Sequence, residues 1–89
     1  MREIVADFRQ IETPEALQVY LGYVLRAPEW YGRNLDALYD VLTDTKRPTR
    51  LVVLPPAYPS ERMEAYYERL RRVLCDAAEA CPAFSWRVG

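Results

Sequence analysis

Apolar and polar residues follow two different periods along this chain, and the switches between them mark six elements. Residues 2–8 place Ile4, Ala6 and Phe8 on one side and Val5 on the other, a weak period of two that predicts a first strand. Thr13-Pro14 reads as a helix start, with threonine as N-cap and proline at the first helical position. Leu17, Tyr20, Leu21, Val24 and Leu25 then keep i, i+3, i+4, i+7 spacing, which predicts an amphipathic helix over residues 14–26. Ala27-Pro28 stops it. A loop over residues 29–33 leads to a second helix over residues 34–44, with Asn34 as its N-cap. Leu35, Leu38, Val41 and Leu42 fall on one side of that helix. Asp36, Asp40, Thr43 and Asp44 fall on the other, with Tyr39 at the border.

The polar connector TKRPTR separates this helix from LVVL, residues 51–54. A continuous apolar run of that length predicts a strand buried on both faces, at the centre of a parallel sheet. PPAYPS is a rigid loop, and Ser60 caps a long third helix running to Ala80. Its buried stripe is Met63, Tyr66, Tyr67, Leu70, Val73, Leu74, Ala77 and Cys81, and Pro82 ends it. Phe84, Trp86 and Val88 alternate with Ser85 and Arg87 in a last strand. The order is β-α-α-β-α-β. Helices between all strands predict an α/β fold: one domain over residues 1–89, a small three-stranded parallel sheet packed against helices.

Composition narrows the function. Eighty-nine residues, 51% hydrophobic and 28% charged, suit one small folded domain. Twelve basic against 13 acidic residues leave a net charge of −1, with no general field for nucleic acid. No window approaches the ~18 apolar residues of a membrane helix, and the N-terminus MREIVADF does not resemble a secretory signal. A cytoplasmic protein is expected. Cys75 and Cys81, six apart on one helix, read as reduced, buried or half-buried thiols. Histidine is absent, which removes the commonest general base and transition-metal ligand. Neither a glycine-rich phosphate loop nor a metal-spaced cluster is present, so no cofactor and no catalysis are expected. Cys75 has no base beside it, and Asp36 and Asp40 sit on a convex helix face unsuited to paired-carboxylate chemistry.

The acids of the second helix admit two readings. Each i, i+4 like-charge pair costs roughly 0.2–0.5 kcal/mol, a sum small enough for an ordinary solvated face. Alternatively, the row meets a strongly cationic partner, where carboxylates make charge-assisted hydrogen bonds and imitate a line of phosphates. Trp30 and Tyr31 either cover the core or serve as interface anchors, one ring inward and the other out. Gly32 is expected to supply a turn with unusual backbone angles.

The run PEWYGRNLDALYDVLTD, residues 28–44, resembles the signature of the barstar family, intracellular inhibitors of the extracellular ribonuclease barnase. The family pattern P-E-aromatic-aromatic-G-x-N-L-D-A-L-aromatic-D-x-L-T is matched throughout. The resemblance implies a non-catalytic inhibitor that inserts its second helix and the preceding loop into a secreted microbial ribonuclease, one to one. It also implies that Asp40 takes the place of a substrate phosphate, with Asp36 a turn earlier. Trp30 falls on the loop aromatic that packs on the enzyme's rim, and Gly32 and Asn34 on the family's glycine and asparagine. A further acid falls on Asp76. With Tyr31, Tyr39, Thr43 and Asp44 these form the expected partner-binding set, on a protein that is a monomer when free. The chain departs from the family in being nearly neutral, in Asp44-Thr45 where a small residue and an aromatic are usual, in Tyr39 for a tryptophan, and in Trp30 for a tyrosine. The altered end motivates rival readings: an immunity protein against another toxin nuclease or a non-nuclease toxin, or a regulatory interaction module.

Overall fold

The computed structural model describes residues 1–57 and 60–89. The middle of the PPAYPS connector, Tyr58 and Pro59, lies outside the described residues. Six elements follow in the expected order: β1 (Arg2–Asp7), α1 (Pro14–Val24), α2 (Leu35–Thr43), β2 (Thr49–Leu54), α3 (Glu61–Ala80) and β3 (Phe84–Val88). The three strands form one parallel sheet in the order β1-β2-β3. Both crossovers step the same way across the sheet, and the right-handed rule puts all three helices on one face.

That face holds the core. Ala6 and Phe8, Leu51 and Val53, and Phe84 meet the stripes Leu17-Leu21-Leu25, Leu35-Leu38-Leu42 and Met63-Leu70-Leu74-Ala77 in one buried cluster. Tyr20 seals one corner: its ring meets Phe8 edge-on at 6.0 Å, and its hydroxyl accepts the Asp7 N–H at 2.9 Å. The alternation of β1 is as expected, with Ala6 inside and Val5 half exposed on the other face.

Two expectations need correction. β2 starts two residues before its apolar run. Thr49 is buried because its hydroxyl donates to the Arg47 carbonyl at 2.9 Å and its N–H to the Ala83 carbonyl at 2.7 Å. The strand is central and buried on both faces, as expected: Val52 lies outside the core cluster but is buried, between Val5 and Arg87 in the register of the helix-free face. Its neighbours on the sheet shield it, not a second helix layer. Finally, both cysteines are free, but only Cys81 is buried; Cys75 is exposed. One residue past Leu74, it is turned about 100° away from the buried stripe.

α1 also ends earlier than its apolar spacing suggests. Arg26 adopts φ 52°, its N–H donates to the Tyr23 carbonyl at 3.2 Å, and the Ala27 N–H donates to Gly22 at 3.0 Å. This is a Schellman ending with arginine where glycine is usual. The chain therefore leaves the helix sharply and turns into the loop that precedes α2.

Candidate functional site: an acidic helix and its loop

The loop between α1 and α2 is held at both ends. Arg26 opens it and Arg33, φ 55°, closes it, both in the left-handed region. Gly32 does not use that region, so the unusual backbone angle belongs to Arg33. Gly32 is small for a different reason: a Cβ there would lie 3.0 Å from the Asn34 side-chain nitrogen. Asn34 works in both directions. Its Oδ1 caps α2 by accepting the Ala37 N–H at 2.8 Å, and its Nδ2 donates to the Gly32 carbonyl at 3.3 Å. The loop and the first turn of α2 are thereby one unit.

The two loop aromatics separate. Trp30 is 63% exposed. Tyr31 turns inward and packs against the core, and its ring lies so near α1 that a Cβ on Gly22 would approach it to 3.3 Å. The Tyr31 hydroxyl donates to Oε1 of Gln18, and Gln18 Nε2 donates to the Tyr66 hydroxyl at 2.7 Å. Gln18 is 2% exposed. Burial of the Tyr31 phenol, with the Tyr66 phenol as a smaller cause, pushes its pKa up to about 12. This relay ties the loop to α1 and α3 at once.

α2 buries Leu35, Leu38 and Leu42 and turns Asp36, Asp40 and Asp44 to solvent. None of the three forms an ion pair among the described residues. Asp36 lies in the first turn, where the helix dipole favours it. Asp44 is the C-cap, where the dipole opposes it. Thr43 is half-buried, and its hydroxyl turns back to the carbonyls of Tyr39, 2.8 Å, and Asp40, 3.4 Å. Tyr39 is half-buried against the core. Asp76 comes from α3, and it lines the same cleft of about 210 Å³ as Asp36. Four exposed carboxylates and one exposed indole thus lie on or beside one helix. Among the described residues no group of three or more metal-ligating side chains gathers, and no helix is long and apolar enough to cross a membrane.

The family model described as Barstar (barnase inhibitor) matches residues 1–86, which takes in the loop and the acidic helix. The chain belongs to the barstar family. Members of this family are inhibitors, not enzymes. A Bacillus subtilis (strain 168) relative, "Putative ribonuclease inhibitor YrdF", is 36% identical over 80 residues, covering 89% of this chain and 88% of the relative.

The outward acids of α2 lie where the helical spacing predicts, but the residues that support the loop beside them carry little signal in the sequence. Gln18 is polar and sits inside a leucine stripe. The one signal for it is its spacing of four from Pro14 and three from Leu21, both buried. Arg69 and Arg72, which share the cleft with Asp36 and Asp76, carry no signal until α2 is packed along α3.

Proposed function

We propose that this chain is an intracellular inhibitor that blocks the active site of a secreted barnase-like ribonuclease, one molecule to one. The observation that carries the reading is the exposed row Asp36, Asp40 and Asp44, without an ion pair among the described residues, on a helix whose loop is tied to it and to the core by hydrogen bonds. A ribonuclease active site gathers cations to hold RNA phosphates, and a carboxylate entering such a site makes short, charge-assisted hydrogen bonds. Asp40 sits at mid-helix and fills the phosphate position. Asp36, Asp76 and Trp30 hold the rim, and Tyr39, Thr43 and Asp44 continue the contact toward the helix end.

Rigidity matters as much as charge. A loop that must order on binding spends part of its interaction energy on that ordering. Here Asn34, Arg33 and the Tyr31–Gln18–Tyr66 relay have ordered it in advance. Association is steered by the local acidic patch, because the net charge of −1 supplies little long-range field. Before export of the enzyme, a monomeric inhibitor in the cytoplasm protects the producing cell's RNA.

The test is a titration of a barnase-type ribonuclease with this protein, following RNA cleavage. Inhibition complete at one equivalent, and lost in Asp40→Ala, is the expected result. No inhibition at low salt and micromolar protein would move the partner to another enzyme class. The substituted end, Asp44-Thr45, is where a different toxin would make its own contacts.

A further inference from the structure

The acidic site has a basic border. One edge of α3 carries Arg62, Tyr66, Arg69, Arg72 and Asp76 at helical spacing; Arg62 faces α1, and the other four border clefts that reach the first turn of α2. Arg62 is taken up by Glu15. Arg69 and Arg72 make no ion pair among the described residues, and Arg69 lies over the Tyr66 ring at 5.9 Å from its centroid. Two adjoining clefts meet at Leu35 and Arg69: one holds Asp36, Arg72 and Asp76, the other Arg33 and Asn34. Three exposed guanidiniums therefore surround the start of α2, where the helix dipole is also positive. A uniformly cationic partner would be attracted by Asp40 and repelled here.

We propose that Arg33, Arg69 and Arg72 form a second recognition patch, and that it selects ribonucleases carrying a carboxylate on the rim beside their cationic active site. This rests on the inhibitor reading and refines it, by naming the charge pattern of the partner. A protein surface of mixed sign fits the patch better than a polyanion does. Asp36 and Asp76 share the cleft with Arg69 and Arg72, and Asp40 lies one turn beyond Asp36, so RNA drawn to those two guanidiniums would meet repelling carboxylates in the same cleft. A protein rim can place an acid opposite the arginines and a base opposite the aspartates. Such paired signs give specificity and orientation more than raw affinity.

The experiment ranks a panel of barnase-type ribonucleases, with rims from uniformly basic to acid-bearing, by their affinity for the full chain, for Arg69→Glu/Arg72→Glu and for Asp40→Ala. The wild-type chain is expected to bind acid-bearing rims most tightly. The double reversal should weaken those complexes about tenfold or more, since each exposed pair is worth up to about fivefold, and should invert the ranking. Wild-type preference for uniformly basic rims, or a double reversal that tightens every complex, overturns the proposal. So does binding of a short single-stranded RNA by the wild-type chain that the double reversal loses, because the arginines would then serve nucleic acid. If Asp40→Ala binds as well as wild type, or no ribonuclease binds at all, the inhibitor reading itself has failed. Both substituted arginines are exposed, so unchanged circular dichroism is expected of the variant.

Discussion

α2 and α3 are built alike on their buried sides and differently on their exposed ones. Each begins with a side-chain cap: Asn34 accepts the Ala37 N–H at 2.8 Å, and Ser60 accepts the Met63 N–H at 3.3 Å. Each sends a leucine stripe into the same core. Outside, α3 mixes five acids with four arginines, and Arg71 pairs with Glu68 at 2.9 Å. α2 and its C-cap carry three acids and no base, spaced so that they repel one another. Folding accounts for the buried faces of both helices and for the Arg71–Glu68 pair on α3. It does not account for the outer face of α2, where none of the three acids forms an ion pair among the described residues. On the inhibitor reading, that asymmetry marks α2, with the edge of α3 that borders it, as the side that meets the partner.

The largest way to break the comparison is through what the helices share. Leu38→Ala and Leu70→Ala each remove a fully buried side chain and should each cost about 2–5 kcal/mol of stability in urea unfolding. Asp40→Ala should do the opposite of these. It should leave the urea midpoint essentially in place while lowering affinity for the ribonuclease by about 2 kcal/mol or more in calorimetry. A variant that lost both together would mean that α2 is an ordinary structural helix. Asn34→Ala removes the cap and the tie to Gly32, and should cost about 1 kcal/mol of stability, with a further loss in association rate because the loop is freed.

The smaller effects sharpen the picture. Asp44→Asn relieves the unfavourable charge at the helix end and should gain about 0.3–1 kcal/mol of stability while weakening the complex, a trade visible in paired melting and binding curves. Burial holds the Tyr31 phenol at about 12 in the fold, above the ordinary tyrosine value of 10.0. Folding therefore favours its protonated form. That contribution is complete below pH 10 and lost as pH rises from there through about 12. Tyr31→Phe should flatten this part of the alkaline stability profile, and an unchanged profile would remove the phenol from the relay.

The order of the elements, all three helix caps and the outward row of acids were legible in the sequence, because period, capping chemistry and chain punctuation are local. What was not legible depends on approach between distant segments. Thr49 reads as a polar connector until β1 and β3 flank it. Gln18 is a surface residue by type and becomes a core one through Tyr31 and Tyr66, 13 and 48 residues away. The left-handed residue was expected at Gly32 because glycine tolerates it, yet the turn places it at Arg33, and Gly32 is needed for its lack of a side chain beside Asn34. Asp36 and Asp76 lie 40 residues apart and face one cleft only because α2 lies along α3.

The central claim is that the Asp40 carboxylate stands where a phosphate would. The most direct measurement is competition: the affinity of this protein for a barnase-type ribonuclease, measured against rising concentrations of a nucleoside monophosphate that fills the enzyme's phosphate site. Wild-type affinity should fall in proportion to the nucleotide's occupancy, and the residual affinity of Asp40→Ala should fall much less. Wild-type binding indifferent to the nucleotide would contradict the account.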